Sequence, residues 1–268
     1  MAYLRALLRI PLLMLAVLVL LPPLWGGRAL SAIGNKRAGS KVSRFAITRW
    51  ARWSCAILGV RITLEGPIPT PPFFLVANHL SYMDILILHA TVRGHFLSKS
   101  EIGSWPIAGH LARWAGTLFI DRKNRRDVSR SIPELQEAMR AGEGVILFPE
   151  GTSTAGSTVD PFHPSLLQAP LAMEMGTHVA SLHYATPNGA EPAHMSVCWW
   201  GDMPFGSHFL KLLTLRSIDA HIQFHGDTFH GDDRKSLAQN TRAGVLEMFR
   251  PSAPESFVQP SEDPAQVP

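Results

Sequence analysis

The sequence predicts an α/β fold, with a mainly parallel sheet and helices on both faces, preceded by membrane-associated helices at the N-terminus. From residue 59 onward, short apolar runs alternate with longer stretches of helical period, as in strands joined by crossover helices. The chain has 268 residues, of which 46% are hydrophobic and 17% charged, so it can bury one large core. An almost uncharged segment precedes the alternating region. These observations predict one globular domain with an apolar attachment.

The N-terminal segment, residues 6–25, reads ALLRIPLLMLAVLVLLPPLW and predicts a membrane anchor. A cleaved signal peptide is the alternative, because the uninterrupted apolar core at residues 10–21 is short, yet no small-x-small cleavage site before a polar start is clear. Basic residues continue beyond the apolar run, at Arg28, Lys36, Arg37, Lys41 and Arg44. The positive-inside rule therefore gives no orientation, and a helix or helical hairpin lying in one leaflet would account for charge at both ends.

The next segment, KVSRFAITRWARWSCAILGV, has the pattern of an amphipathic helix. Phe45, Trp53 and Ile57 can share one helical face, and Trp beside Arg suits the lipid headgroup layer. An ordinary helix packed on the domain would show the same pattern. We expect residues 1–58 to form the membrane anchor and amphipathic segment.

The net charge indicates which kinds of partner the protein can bind, and the cysteine content indicates whether it has disulfides or a zinc site. The formal charge is +4 and the pI is about 9.3, which suits nucleic acid or an anionic membrane. No RRM, helix-turn-helix or zinc-finger signature occurs, so the apolar anchor favours a membrane and no nucleic acid. Cys55 and Cys198 lie far apart and form no C-x-x-C pair, which predicts neither a disulfide framework nor a zinc site.

Seven strand-like runs follow in order along residues 59–250, the expected globular domain. They are VRITLEG, PPFFLVANH, GTLFIDR, GVILFPEG, HVASLHYA, SVCWWG and DAHIQFH. The remaining stretch, residues 251–268, is rich in proline and weakly hydrophobic, which predicts a disordered tail.

Polar side chains stand just past the ends of three of these strands. His79 follows FFLVAN, Asp121 and Arg122 follow TLFI, and Glu150 follows VILFP. In an open parallel sheet the carboxyl ends of the strands hold the active site. The sequence therefore predicts that these side chains converge.

The segment VANHLSYMDILIL offers a base and a carboxylate five residues apart, His79 and Asp84. An imidazole can take a proton from a hydroxyl near neutral pH when a carboxylate fixes its tautomer and stabilises its cation. Asp84 also completes an S-x-x-D capping pattern with Ser81, so it has two interpretations, and the two roles can coexist.

The turn FPEGT supplies a carboxylate, Gly151 and the Thr152 hydroxyl after a strand, where backbone amides can hold a polar acceptor group. Arg122 offers a fork suited to phosphate or carboxylate. Each feature alone also fits an ordinary turn or a solvated arginine.

Taken together, these motifs resemble those of the glycerolipid acyltransferases typified by 1-acyl-sn-glycerol-3-phosphate acyltransferase, over roughly residues 55–230. The NHxxxxD motif matches Asn78, His79 and Asp84; the G-x-x-F-I-x-R motif matches Gly116, Phe119, Ile120 and Arg122; and FPEGT matches residues 148–152. HVASLHYA stands where the family usually has a Val-Pro-type segment.

The resemblance implies an α/β fold of the glycerol-phosphate acyltransferase type and transfer of an acyl chain from acyl carrier protein or coenzyme A to a lysolipid hydroxyl. It implies His79 as the base supported by Asp84, with no metal or cofactor, at the cytoplasmic face of the cell inner membrane. The substrate-binding residues implied are Asn78, Gly116, Arg122, Glu150, Gly151 and Thr152.

One departure bears on the acceptor. Family members that act on glycerol phosphate commonly continue FPEGT with Arg, whereas this chain has Ser153. The stretch WWGDMPFGSHFLKLL is similar to the lyso-ornithine lipid acyltransferase branch. From these motifs alone lysophosphatidate is favoured slightly, and lyso-ornithine lipid is the alternative acceptor.

Other classes fit the sequence less well. No G-x-S-x-G, P-loop or H-E-x-x-H motif is present, which argues against a serine hydrolase, a P-loop enzyme and a zinc hydrolase. A non-catalytic membrane lipid-binding protein is compatible with the same motifs.

Overall fold

The computed structural model describes residues 2–104, 108–114, 116–121 and 124–257. Its strands are β1 (Val60–Glu65), β2 (Phe73–Ala77), β3 (His95–Lys99), β4 (Leu118–Ile120), β5 (Gly144–Leu147), β6 (Thr177–Ala185) and β7 (Ile218–Phe224). Its α-helices are α1 (Ala2–Ala32), α2 (Lys36–Leu58), α3 (Met83–Thr91), α4 (Ala108–Trp114), α5 (Arg125–Arg140), α6 (Gln168–Leu171), α7 (Ala193–Ser196), α8 (Phe205–Thr214) and α9 (Arg234–Met248).

The strands form one sheet in the order β1-β7-β6-β2-β5-β3-β4. Strands β6, β2, β5, β3 and β4 run parallel to one another, whereas β7 is antiparallel to β6 and parallel to β1. The carboxyl ends of β2, β5 and β4 therefore meet at the same edge of the sheet. The mainly parallel α/β fold predicted from the sequence is confirmed.

Strand β2 lies at the centre of the sheet and is buried on both sides. Phe73, Leu75 and Ala77 face a core that includes Leu88 of α3 and Leu212 of α8. The alternate side chains, Phe74 and Val76, face a second core that includes Leu135 of α5 and Val245 of α9. Because side chains alternate along a strand, this arrangement confirms helices on both faces.

Two strand assignments differ from the sequence prediction. SVCWWG is not a strand; α7 ends there, and the backbone N–H of Trp199 instead donates to the Leu80 carbonyl. The apolar run is buried by docking on the loop after β2. Conversely, HFLSK forms β3, which its mixed polar and apolar residues did not indicate.

The N-terminal helices α1 and α2 form an antiparallel hairpin that lies along the domain. Gly27 and Gly39 meet where the helices cross, and a Cβ on either would lie under 3 Å from backbone atoms of the other helix. At the other end of α1, Arg9 donates to the carbonyl oxygens of Leu213 and Leu215, at 2.9 and 2.6 Å, at the C-terminal end of α8. Helix α1 is thus held against protein at both ends.

The outward side of the hairpin is apolar. Helix α1 is long and apolar enough to cross a membrane by length and composition, and it exposes many large side chains, among them Leu7, Leu15 and Leu18. On α2, Phe45 and Trp53 are exposed, with the Arg49 guanidinium 5.9 Å from each ring. Helix α2 also packs on the domain, against α3, so the packed-helix interpretation is met, and contact of its outward side with a membrane stays a prediction.

The first part of the predicted tail packs on the domain. The backbone N–H groups of Ser252 and Ala253 donate to the Gly156 carbonyl, Ala253 is buried, and the Phe257 ring lies 5.4 Å from that of Trp200. The structure thus differs from the predicted disorder at residues 251–257, because Ala253 and Phe257 pack against the domain. Residues 258–268 lie outside the described part of the chain.

Candidate active site

The loop after β2 is anchored by the side chain of Asn78. Its amide nitrogen donates to the Leu182 carbonyl at 3.0 Å, and its Oδ1 accepts from the Leu182 N–H at 2.7 Å. Asn78 is 1% exposed, so its buried amide is satisfied by β6 and fixes the strand end from which the next residue, His79, projects.

His79 and Asp84 are brought together as the sequence predicted. Nδ1 of His79 lies 2.7 Å from Oδ2 of Asp84, and the Asp84 side chain is completely buried. A carboxylate can only accept, so Nδ1 carries the hydrogen and Nε2 carries the free lone pair. This tautomer leaves Nε2 able to take a proton from a substrate.

The capping interpretation of Asp84 is met only in part. Its Oδ2 accepts from the backbone N–H of Ser81 at 3.0 Å, as a capping carboxylate does, and from that of Leu80 at 2.7 Å. The Ser81 hydroxyl, however, donates to the Val197 carbonyl, so the reciprocal capping box is not formed. Asp84 organises the loop and the imidazole at the same time.

The His79 ring is stacked on a neighbouring aromatic and remains partly open. Its centroid is 4.2 Å from that of Phe148, with 8° between the planes, and its side chain is 19% exposed. Stacking fixes the ring plane while solvent or substrate can still reach one side.

Glu150 braces the backbone of His79. Its Oε1 accepts from the His79 N–H at 2.6 Å and its Oε2 from the Asp160 N–H at 2.8 Å. Burial raises the pKa of Glu150 to about 8, against the opposing effect of these two backbone donors. Glu150 is 4% exposed, so it lies behind the catalytic loop, and its expected contact with substrate stays a prediction.

The FPEGT turn closes over the loop from the other side. Gly151 has φ of 81°, which favours glycine, and the Thr154 N–H donates to the His79 carbonyl at 2.9 Å. Ser153 is 7% exposed and its hydroxyl donates to the Trp199 carbonyl. The residue after FPEGT, which the resemblance led us to compare with the Arg of members acting on glycerol phosphate, is thus a serine that points inward.

The other predicted substrate-binding residues are distributed unevenly. Gly151 and Thr152 lie in the turn after β5, beside the dyad. Gly116 precedes β4 and its carbonyl lies 3.0 Å from Nδ1 of His95, so it stands at the amino edge of the sheet, opposite His79. Arg122 lies outside the described residues.

One residue of the site was missed by the sequence reasoning. The Tyr184 hydroxyl donates to Oδ1 of Asp84 at 2.7 Å, and Tyr184 is 1% exposed. It belongs to HVASLHYA, but nothing in a strand sequence tells which distant carboxylate a hydroxyl reaches.

This site has a base that a carboxylate orients, at the carboxyl edge of the parallel strands and beside a tight turn. Such a base can activate a hydroxyl for attack on an acyl group. Within the described ranges no group of three or more His, Cys, Asp or Glu residues could hold a metal ion.

Comparison with known proteins gives this geometry its context. The family model described as Acyltransferase matches residues 59–185. The chain is 37% identical to a lyso-ornithine lipid O-acyltransferase of Rhodobacter capsulatus over 71% of this chain and 70% of that one. The corresponding Pseudomonas aeruginosa protein is 35% identical, over 79% and 81%. A 1-acyl-sn-glycerol-3-phosphate acyltransferase of Neisseria meningitidis is 27% identical, over 75% and 79%.

A solved structure agrees with the fold. The crystal structure of the 1-acyl-sn-glycerophosphate acyltransferase PlsC from Thermotoga maritima superposes with a TM-score of 0.62 at 22% identity, over 92% of this chain and 98% of that one. By its extended match to the relatives above, the chain belongs to the acyltransferase family and is an acyltransferase of the lysolipid type.

Proposed function

We propose that the protein acylates the free hydroxyl of lyso-ornithine lipid at the cytoplasmic face of the inner membrane, using acyl-acyl carrier protein or acyl-coenzyme A. His79 is the general base and Asp84 holds it. The observation that carries the mechanism is the 2.7 Å contact between His79 Nδ1 and the fully buried Asp84 carboxylate.

The chemistry follows from the tautomer. Nε2 of His79 takes the proton of the acceptor hydroxyl while the hydroxyl oxygen attacks the thioester carbonyl carbon. The C–S bond then breaks, an ester C–O bond remains, and the imidazolium returns the proton to the departing thiolate. Asp84 stabilises the imidazolium formed in between.

The inward position of Ser153 supports lyso-ornithine lipid as the acceptor. The Ser153 side chain is 7% exposed and bonded to the Trp199 carbonyl, so a longer, charged Arg in the same orientation would have to displace that contact. Lyso-ornithine lipid carries a carboxylate but no phosphate, so it needs no cation there. The lyso-ornithine relatives from R. capsulatus and P. aeruginosa are also the more similar, at 37% and 35% against 27% for the N. meningitidis protein.

Lysophosphatidate, slightly favoured from the motifs alone, is the second candidate acceptor. It is supported by the named activity of the N. meningitidis relative. Arg122 would be the residue to bind its phosphate.

The apolar face of the N-terminal hairpin supports membrane binding. Helix α1 is held to the domain at Arg9 and to α2 at Gly27, so a hairpin lying in one leaflet keeps both contacts, whereas a perpendicular span of α1 would break at least one of them. Leu8 and Leu15 are 56% and 55% exposed.

Replacing both Leu8 and Leu15 with Glu should release the protein from anionic vesicles, whereas replacing both with Ala should weaken binding far less. Equal binding by the two variants contradicts a membrane role for this face.

The acceptor is tested by competition. Purified protein in mixed micelles is given equal amounts of lyso-ornithine lipid and lysophosphatidate with each thioester donor, and products are identified by mass spectrometry. We expect a higher kcat/KM for lyso-ornithine lipid. Phosphatidate as the dominant product would reject this acceptor, and binding of lysolipid without product would reject the mechanism.

A further inference from the structure

Tyr184 connects to the catalytic pair through one carboxylate. Its hydroxyl donates to Oδ1 of Asp84 at 2.7 Å, while Oδ2 of Asp84 lies 2.7 Å from Nδ1 of His79. Each oxygen of this buried carboxylate is therefore assigned to a different side chain. With Oδ1 fixed by Tyr184, the carboxylate cannot rotate away from the imidazole without breaking a charge-assisted hydrogen bond.

The hydroxyl is suited to act as a permanent donor. Burial raises the pKa of Tyr184 well above 10, and the negative charge of Asp84 adds to the effect. The phenol thus stays protonated wherever the imidazole changes its charge. Since Tyr184 is 1% exposed, it cannot touch a substrate.

We propose that Tyr184 is a positioning residue for acyl transfer, whose hydroxyl orients Asp84 and moderates the charge that Asp84 presents to His79. The inference rests on the proposed mechanism in which His79 is the base. The ring of Tyr184 is buried in the core that also contains Met83 and Ile87 of α3. Phe would fill that place equally, so the hydroxyl alone carries the positioning effect.

The first experiment is Tyr184→Phe in the full-length protein. Loss of a hydrogen bond to a charged group should lower kcat roughly ten- to a hundredfold, with the KM of both substrates unchanged. The acid limb of the kcat/KM profile should move to higher pH, because a carboxylate with one donor fewer holds the imidazolium more strongly. A purely structural tyrosine would change the folded fraction but neither the activity per folded molecule nor the pH profile.

Tyr82→Phe is the matched control. The Tyr82 hydroxyl lies 3.0 Å from Nδ1 of His208, whereas the partners of Asp84 among the described residues are His79, Leu80, Ser81 and Tyr184. Removing the Tyr82 hydroxyl is the same chemical change in the same region, and the acid limb should stay where it is in the wild type. An equal shift in both variants would overturn the assignment to Tyr184.

A double-mutant cycle with Asp84→Asn decides whether Tyr184 acts through Asp84. In that background Tyr184→Phe should cost less than about twofold in kcat, because coupled residues are not additive. Full additivity would overturn the proposal. His79→Ala distinguishes an error about the base from an error about Tyr184. If His79→Ala abolishes transfer while Tyr184→Phe shows no coupling to Asp84→Asn, only the role of Tyr184 is wrong. If His79→Ala leaves transfer intact, the assignment of the base is wrong.

Discussion

Glu150→Gln tests whether the catalytic loop is braced from behind. In the wild type, Oε1 accepts from the His79 N–H at 2.6 Å and Oε2 from the Asp160 N–H at 2.8 Å. A glutamine keeps one acceptor oxygen and turns an NH₂ group toward the other N–H. The variant therefore loses one hydrogen bond, and in a buried site its NH₂ group points at a backbone N–H, so that two donors oppose each other.

The size of the effect follows from those contacts. Below its pKa of about 8 Glu150 is mostly neutral, so one of its hydrogen bonds contributes about 0.5 to 1.5 kcal/mol, and an unsatisfied buried N–H adds about 1 to 3 kcal/mol. We expect the free energy of unfolding to fall by roughly 2 to 4 kcal/mol, since local relaxation recovers part of the loss. Because Glu150 links the His79 N–H to the Asp160 N–H, the loss of either bond loosens the position of His79, and kcat should fall at least about tenfold with little change in KM.

The assay combines urea unfolding with steady-state acyl transfer, and Glu134→Gln is the control. Glu134 lies on the exposed side of α5, 3.5 Å from Arg130, where such a change should cost under about 0.5 kcal/mol. If Glu150→Gln instead raises the acceptor KM while its unfolding free energy equals that of the wild type, Glu150 contacts substrate and the bracing argument is refuted.

Three further predictions concern stability at low pH, the packing of the hairpin and the catalytic carboxylate. Burial lowers the pKa of His89 from 6.5 to about 4, so between these pH values the unfolded chain binds a proton that the folded chain does not. The free energy of unfolding should therefore fall by up to roughly 3 kcal/mol as the pH falls from about 6.5 to 4. Urea titrations should show a smaller loss in His89→Phe, and an equal loss contradicts the assignment to His89. Gly39→Ala should lower Tm and open the hairpin to protease, since its Cβ would clash with the Gly27 carbonyl oxygen, whereas Gly26→Ala meets nothing within 4 Å and should be tolerated. Matching proteolysis of both variants would count against close packing. Asp84→Asn should reduce kcat by about 10³- to 10⁴-fold through the wrong histidine tautomer, and unchanged specific activity of its folded fraction would leave only the capping role.

Local sequence pattern was a good guide to the fold. The apolar runs that became β2 and β5 are flanked by turn residues and buried on both faces, so their length and composition were sufficient to identify them. SVCWWG has the same apolar character and forms no strand, because Trp199 finds its backbone partner at Leu80. Burial alone does not distinguish a strand from a loop docked on the core.

The candidate site was predictable where the chemistry is local in sequence. His79 and Asp84 are five residues apart and meet within one loop, so their pairing needed only a strand end and a short helix. The bracing by Glu150 and the contact from Tyr184 depend on how β5 and β6 flank β2. Such contacts across 71 and 100 residues follow from tertiary packing, which no single segment encodes.

Acyl transfer by His79→Ala is the most direct measurement of the central claim. Full-length variant and wild type are compared for conversion of lyso-ornithine lipid with acyl-acyl carrier protein, with products quantified by mass spectrometry and folding verified by Tm. The account predicts that kcat/KM falls by about 10²- to 10⁴-fold in a protein that remains folded. A folded His79→Ala variant that transfers acyl chains at close to the wild-type rate would contradict the assignment of His79 as the base.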